Sequence, residues 1–139
     1  MNSSAPAVRA IRGAIQVEAD DAGEIRAATK ELIAAVLAEN DLASDDLISV
    51  FFTVTPDLVS EFPALAGYEF GLADVPMLCA VEMNVSNVMP RVIRLMAHVV
   101  TSRLRAEIQH PYLRGASAIT PARVFAERKS GALRPDIPK

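Results

Sequence analysis

The stretch VRAIRGAIQVEADDAGEIRAATKELIAAVLAEND, residues 8–41, joins a strand pattern to a helix pattern in one run of chain. In its first part Ile11, Ile15 and Val17 recur at even spacing, so they share one face of a strand. The opposite face carries one long charged side chain, Arg12, among small residues. A strand followed at once by an amphipathic helix predicts a sheet with a helix packed on its apolar face.

The helix in this stretch has signals at both ends. Asp21 and Glu24 have the spacing of a capping box, with Asp in place of Ser or Thr. Asn40 and Asp41 are weak helix formers and end the segment. The apolar stripe that would face the sheet consists of Ile25, Ala28, Leu32, Val36 and Leu37.

Strand and helix patterns alternate along the rest of the chain. The sequence predicts a strand over 47–54, a short helical segment from Thr55-Pro56, another turn of helix from Pro63, a strand over 77–85, a long helix from Ser86 or Asn87 to about residue 105, and a strand over 107–113 that Pro111 places at an edge or a bulge. The order β-α-β-(α)-β-α-β is that of an α+β domain with helices on one face of a mixed sheet. The long helix has two apolar stripes, so we expect it and the uncovered sheet face to contact a partner chain.

Composition restricts the classes of function. The chain has 139 residues, is 51% hydrophobic and has a net charge of -3, which fits one folded domain and argues against general nucleic-acid binding. One cysteine excludes a disulfide framework. No apolar run reaches the roughly 20 residues needed to span a bilayer, and the N-terminus lacks the apolar core of a signal peptide. We expect a cytoplasmic protein that has a domain over 1–119 and a basic C-terminal tail over 120–139.

Familiar catalytic motifs are missing. His98 and His110 are isolated and Cys79 has no CxxC partner, so we expect no metal site. The nucleotide-binding glycine motifs and the nucleophile-elbow motif are also absent, which predicts a protein without a cofactor and without a nucleophilic mechanism.

Three charged residues occur in otherwise uncharged segments. Arg12 lies on a strand face of small residues, Glu82 lies in a predicted strand, and Arg94 lies in the mostly apolar predicted long helix. Buried charges are rare unless they are paired. Two interpretations stay open. The charges form an internal salt-bridge network, or they line a pocket in which the arginines bind the carboxylates of a ligand and Glu82 accepts a hydrogen bond from a ligand hydroxyl.

The chain resembles the small trimeric class of chorismate mutase, the monofunctional pseudo-α/β-barrel type. The resemblance runs from about residue 9 to about residue 116, and the order and spacing of its short pieces make it specific. Those pieces are Ile11-Arg12-Gly13-Ala14, Thr55-Pro56-Asp57-Leu58, Phe62-Pro63-Ala64, Val75-Pro76-Met77-Leu78-Cys79, Glu82-Met83-Asn84-Val85, Ile93-Arg94 and His110-Pro111-Tyr112-Leu113.

The resemblance implies a reaction and a mechanism. Chorismate mutase converts chorismate to prephenate by a [3,3] rearrangement in aromatic amino acid biosynthesis, the shikimate pathway, and it needs no cofactor. By similarity, Arg94 donates to the ether oxygen and a carboxylate and is the main electrostatic catalyst. Glu82 then accepts from the ring hydroxyl, aided by Cys79. On an ideal strand Cys79 and Glu82 face opposite sides, so only a bulge or twist brings both to one pocket.

The resemblance also implies further binding residues and an assembly. Arg12 and Tyr112 correspond to residues that bind the side-chain carboxylate, and Phe62 to an apolar wall. The sites of the family lie between subunits of a homotrimer, so each pocket draws residues from two chains.

Two departures from the family pattern bear on activity. Tyr68 stands where the family usually has an arginine, and contiguous alignment puts Thr120 at a second such position. Arg134, in Leu133-Arg134-Pro135-Asp136, restores the second charge only if residues 117–132 are an insertion. We expect chorismate mutase activity, with reduced turnover if these charges matter. The alternatives are a diverged enzyme for another chorismate-like enol ether, and a non-catalytic trimeric protein that binds anions.

Overall fold

A five-stranded mixed sheet forms the centre of the chain in the computed structural model, which describes residues 5–130. The strands are β1 Ala7–Gln16, β2 Leu47–Val54, β3 Met77–Val81, β4 Val92–Thr101 and β5 Tyr112–Leu113, and the helices are α1 Ala22–Glu39, α2 Pro63–Phe70 and α3 Pro121–Ser130. The strand order is β3-β2-β4-β1-β5. β4 pairs antiparallel with β1 and β2, and the outer pairs β2–β3 and β1–β5 are parallel. The predicted α+β class is confirmed.

One face of the sheet holds the core. Ile11, Ile15 and Val17 of the β1 segment are buried there, as their spacing predicts. α1 packs across β1 and against α2, so both helices lie on this side. The core also contains Phe52 from β2 and Leu95 from β4. Burying this apolar layer supplies the main driving force for folding.

Helix α1 begins and ends where its sequence signals predict. Asp21 is the N-cap, and its carboxylate accepts a hydrogen bond from the Glu24 N–H at 2.9 Å. At the other end the buried Asn40 side chain donates to the carbonyl of Val36. Within residues 5–130, no helix is both long and apolar enough to cross a membrane.

The prediction of a long helix from residue 86 or 87 to about 105 is wrong, because Val92–Thr101 in this segment forms strand β4. The residues that face the core are Ile93, Leu95, Ala97 and Val99, which alternate with a period of two. The sequence contains the helical spacings as well, but β-branched residues favour a strand. Hydrogen bonds to β1 and β2 on both sides then stabilise the extended form. The last α of the predicted order β-α-β-(α)-β-α-β is therefore a strand.

Three smaller boundaries also differ from prediction. Thr55-Pro56 begins a hydrogen-bonded turn instead of a helix. The third strand ends at Val81, because β2 ends at Val54 and offers no further partner after its carbonyl accepts from Glu82 N–H. The last strand contains only Tyr112–Leu113, since Pro111 has no N–H to donate; it lies at the predicted edge.

The second face of the sheet is uncovered over most of its area. It exposes one or more large apolar side chains from each of four strands, and these are Val8, Phe51, Leu78, Met96 and Val100. Leu78 is 62% exposed and Val8 is 60% exposed. A contiguous apolar surface of this kind marks an interaction site. We call it the open face.

Candidate functional site

Arg12, Arg94 and Tyr112 meet at one pocket on the open face. β1 brings them together, because Ala14 pairs with Arg94 on β4 and with Tyr112 on β5. The pocket has a volume of about 210 Å³, and its wall is completed by Phe51, Thr53 and Met96. We call it the arginine pocket.

Glu82 joins this pocket through Arg94. A Glu82 carboxylate oxygen, Oε2, lies 3.2 Å from Nε of Arg94 and accepts a hydrogen bond from the Thr53 hydroxyl at 2.6 Å. Thr53 pairs with Arg94 across β2 and β4, so the two side chains hold the carboxylate from neighbouring strands. The sequence-predicted residues Arg12, Glu82, Arg94 and Tyr112 are therefore brought together within one chain.

The ion pair leaves hydrogen-bonding capacity unused. Nε of Arg94 is buried and close to Glu82, yet it has no acceptor in hydrogen-bonding geometry among the described residues. The Arg94 side chain as a whole is 40% exposed, and it lines a second pocket as well as the first. Because this guanidinium is partly exposed and lines the arginine pocket, it is suited to bind an anionic or ether oxygen.

Phe62, Tyr68 and Cys79 lie on the other side of the sheet. α2, which carries Tyr68 and follows Phe62, packs on α1 and β3. Gly67 of α2 is next to Phe52, which faces the core side. Phe62 is 71% exposed and Tyr68 is 53% exposed, so both are available for contacts outside their own chain. We call these three residues the helix-side group.

Cys79 faces away from Glu82 in this chain. It pairs with Phe52 in a regular parallel register and packs against the core, so no bulge turns it toward the open face. Burial raises the pKa of the Cys79 thiol above its ordinary value, while a smaller contribution from the Ala64 backbone acts in the opposite direction. The side chain is therefore a neutral thiol at pH 7.

Helix α3 lies beside Arg94. A pocket of about 470 Å³ separates the β3–β4 loop from α3, and Arg94, Met89, Ile119, Phe125 and Arg128 are among the residues that line it. Thr120 ends the turn before α3, and its carbonyl accepts the first hydrogen bond of that helix, from Val124. We call this space the tail pocket. Arg134 lies outside the described residues.

Sequence reasoning missed two residues of this site. Thr53 holds Glu82, and its only signal was a hydroxyl in the mostly apolar strand LISVFFTV, which also contains Ser49. His110 accepts a hydrogen bond from the backbone N–H of Arg12 at 2.9 Å, and no local pattern indicates a contact across so much chain. In the part of the chain between residues 5 and 130, no group of three or more His, Cys, Asp or Glu side chains could hold a metal ion.

Comparison with known proteins identifies relatives along most of the chain. The family model for chorismate mutase type I matches residues 8–123. The chain is 44% identical over 115 residues to chorismate mutase AroH of Thermus thermophilus. This alignment covers 82% of this chain and 94% of that protein. It is 36% identical over 115 residues to chorismate mutase AroH of Bacillus subtilis strain 168, covering 82% and 91% of the two.

A solved structure agrees with these matches. The fold is similar to that of a chorismate mutase from Clostridium thermocellum, with a TM-score of 0.78 and 40% sequence identity. The match covers 79% of this chain and 98% of that one. Sequence and fold thus agree over the region that forms the arginine pocket, and the chain belongs to the chorismate mutase type I family.

Proposed function

We propose that this chain catalyses the rearrangement of chorismate to prephenate. In this reaction the ether C–O bond breaks while a C–C bond forms within the same molecule. No proton moves to the protein and no covalent intermediate is needed. The protein has to hold a compact conformer and to stabilise charge in the transition state. The single observation that carries the proposal is the partly exposed Arg94 side chain, which lines one pocket with Arg12 and Tyr112 and is paired with a Glu82 carboxylate that Thr53 fixes.

Arg94 and Glu82 are the proposed catalytic pair. As the C–O bond breaks, negative charge grows on the enolpyruvyl oxygen, and a guanidinium facing it stabilises the transition state more than the bound substrate. Glu82 holds Arg94 from one side and accepts the hydrogen bond of the ring hydroxyl. Thr53 fixes that carboxylate before substrate arrives, which is what preorganised catalysis requires.

Arg12 and Tyr112 are the proposed carboxylate-binding pair. They approach the pocket from adjacent strands, so their donors converge on one volume. A guanidinium can form two parallel hydrogen bonds to a carboxylate, and the phenol adds a third donor. These contacts exist before and during the reaction, so we expect them to affect substrate affinity more than the chemical step.

The proposed site is completed by a second chain of a homotrimer. The helix-side group cannot reach the arginine pocket of its own chain, because the sheet lies between them. The proposal is supported by the exposed Phe62 and Tyr68 on one side and the apolar open face on the other. In this arrangement the helix-side group of a neighbouring chain closes the pocket. We propose separately that the protein is located in the cytoplasm.

The tail completes the proposed mouth of the pocket. Thr120 and Tyr68 stand where the family pattern has arginines, and Arg128 of α3 lines the tail pocket together with Arg94. We propose a domain over 1–119 with a basic tail over 120–139 that contacts the site. The replaced charges predict lower turnover than in a member with both arginines, because fewer cations offset the substrate's two carboxylates.

A continuous assay for loss of chorismate, with prephenate identified as the product, tests the activity. Native mass spectrometry of the same sample should give a mass near three chains, because one chain supplies only part of the site. Binding of chorismate without prephenate would support the non-catalytic alternative, and turnover only of another enol ether would support a diverged enzyme. A stable, active monomer would contradict the shared site.

A further inference from the structure

His110 is fixed against the strand that carries Arg12. Its ring nitrogen Nδ1 accepts the Arg12 backbone N–H at 2.9 Å, and the next carbonyl, that of Pro111, accepts the Ala14 N–H at 3.0 Å. Tyr112 then continues the pairing with Ala14 as part of β5. The imidazole therefore occupies the position of a strand carbonyl and extends the β1–β5 pairing by one hydrogen bond.

The approach of this segment to β1 depends on Gly13. A Cβ at this position would lie 3.2 Å from the Pro111 carbonyl oxygen and 3.1 Å from the Leu32 side chain. Only glycine leaves this space free, so the Pro111 backbone and the Leu32 side chain both pack closely against β1 at Gly13. The hydrogen bond to Arg12 is thus part of a close contact between two chain segments.

Arg12 lies on the wall between two cavities. One is the arginine pocket; the other is a cleft of about 450 Å³ on the other side of Arg12. His110 lines this cleft. The charged residues that face it there are Arg9 and Arg12 of β1 and Arg105 of the preceding turn, and no carboxylate of residues 5–130 is in the lining. A proton on His110 would therefore add positive charge to a cluster of cations.

We propose that His110 is a positioning residue that holds Arg12 toward the substrate through its neutral imidazole, so that protonation of His110 weakens substrate binding. A protonated ring nitrogen carries its own hydrogen and cannot accept the Arg12 N–H. The same proton repels the Arg12 guanidinium. The inference rests on the proposed role of Arg12 in binding a carboxylate of the substrate.

The electrostatics of the cleft set the direction of the pH dependence. Partial burial and then the positive charge of Arg12 lower the pKa of His110 below its ordinary value of 6.5. The side chain as a whole is exposed, so it can still exchange protons with solvent. The ring is therefore neutral at pH 7, and KM for chorismate should rise as the pH falls through the lowered pKa.

The test is the pH profile of KM and kcat between about pH 5 and pH 8 for the wild type, His110→Asn and His110→Ala. Asn offers an oxygen near the position of Nδ1 and does not titrate, so His110→Asn should keep a low KM across the range. His110→Ala loses the acceptor, and its KM should be raised about 5-fold at every pH with kcat nearly unchanged. The KM of the wild type should be close to that of His110→Asn near pH 8 and should approach that of His110→Ala as the pH falls.

Two controls make the result decisive. His98→Asn makes the same substitution at the other histidine of the chain, which faces Ser49 and Phe51. This variant should show the same rise in KM at acidic pH as the wild type. Arg12→Ala should raise KM at all pH values; if it does not, the proposed role of Arg12 fails. If Arg12→Ala behaves as expected but His110→Asn shows the wild-type acid rise, the role of His110 is wrong. This comparison uses only the wild type and a conservative variant, so it holds even if His110→Ala does not fold.

Discussion

The arginine pocket and the helix-side group differ in how much of a site each makes within one chain. Strand pairing places Arg12, Arg94 and Tyr112 around one pocket, and Thr53 and Arg94 hold the Glu82 carboxylate beside it. Phe62 and Tyr68 of the helix-side group instead have large exposed surfaces. Polar groups that act on a reacting bond must be held rigidly, whereas an apolar wall can be supplied by contact with a neighbour.

Replacing Arg94 should produce the largest effect on this comparison. We expect Arg94→Ala to lower kcat by roughly 10² to 10³, the loss seen on removing one preorganised donor. Arg94→Lys should also be severely impaired, since it keeps the charge but loses the planar fork. Steady-state kinetics and a melting temperature on the same samples give the measurement.

The melting temperature distinguishes catalysis from a structural salt bridge. If the Arg94–Glu82 pair mainly supports the fold, Arg94→Ala would leave a buried carboxylate alone and cost about 3 to 5 kcal/mol of stability. We expect a smaller loss, because Arg94 is partly exposed and Thr53 still donates to Glu82. A folded variant with near-normal turnover would contradict the catalytic role.

Mixing two inactive variants tests whether the two regions act across chains. Phe62→Asp puts a carboxylate at an exposed position of the helix-side group, where it should repel a dicarboxylate substrate without disturbing the core. If sites are shared, a co-refolded equal mixture with Arg94→Ala contains about a quarter of intact sites by random assembly, and activity returns to that fraction of wild type.

The matched control combines two lesions in the same region. Arg94→Ala mixed with Arg94→Lys leaves every arginine pocket without its proposed electrostatic catalyst, so activity should not recover. Equal recovery in both mixtures, or none in the first, would show that the helix-side group does not complete a neighbour's pocket.

Shortening the tail should give the smallest effect. A stop after Ile119 removes α3, and we expect KM to rise about 5-fold with kcat nearly unchanged, as for loss of a contact made equally in ground and transition states. A stop after Ser130 keeps α3 but removes Arg134. If Arg134 closes the pocket, the shorter deletion should reproduce the whole rise. If neither deletion changes KM or kcat, the tail is peripheral.

Local signals predicted the first half of the fold well. β2 spans the predicted residues 47–54, and α1 begins after Asp21 and ends before Asn40, as its cap signals indicate. The segment Val92–Thr101 contains helical and strand spacings together, and only its pairing with two distant strands decides between them. The helix prediction for this segment failed because the deciding hydrogen bonds are to distant strands, which a local sequence pattern does not show.

The site divides in the same way. Arg12, Glu82 and Arg94 stood out as charges in uncharged segments, and the family resemblance connected them with Tyr112. The roles of Thr53 and His110 depend on contacts with residues far along the chain, so the local sequence pattern did not reveal these roles.

The pairing of β1 with β4 also has a consequence for how the chain folds. The N-terminal strand Ala7–Gln16 obtains its antiparallel partner from Val92–Thr101, and its parallel partner from Tyr112–Leu113. Loop-closure entropy opposes such distant pairing until the contacts form, so folding should be slower than for a helical bundle of the same size. During synthesis β1 and α1 leave the ribosome before β4 and β5, so β1 has neither of its partner strands until those later segments have emerged.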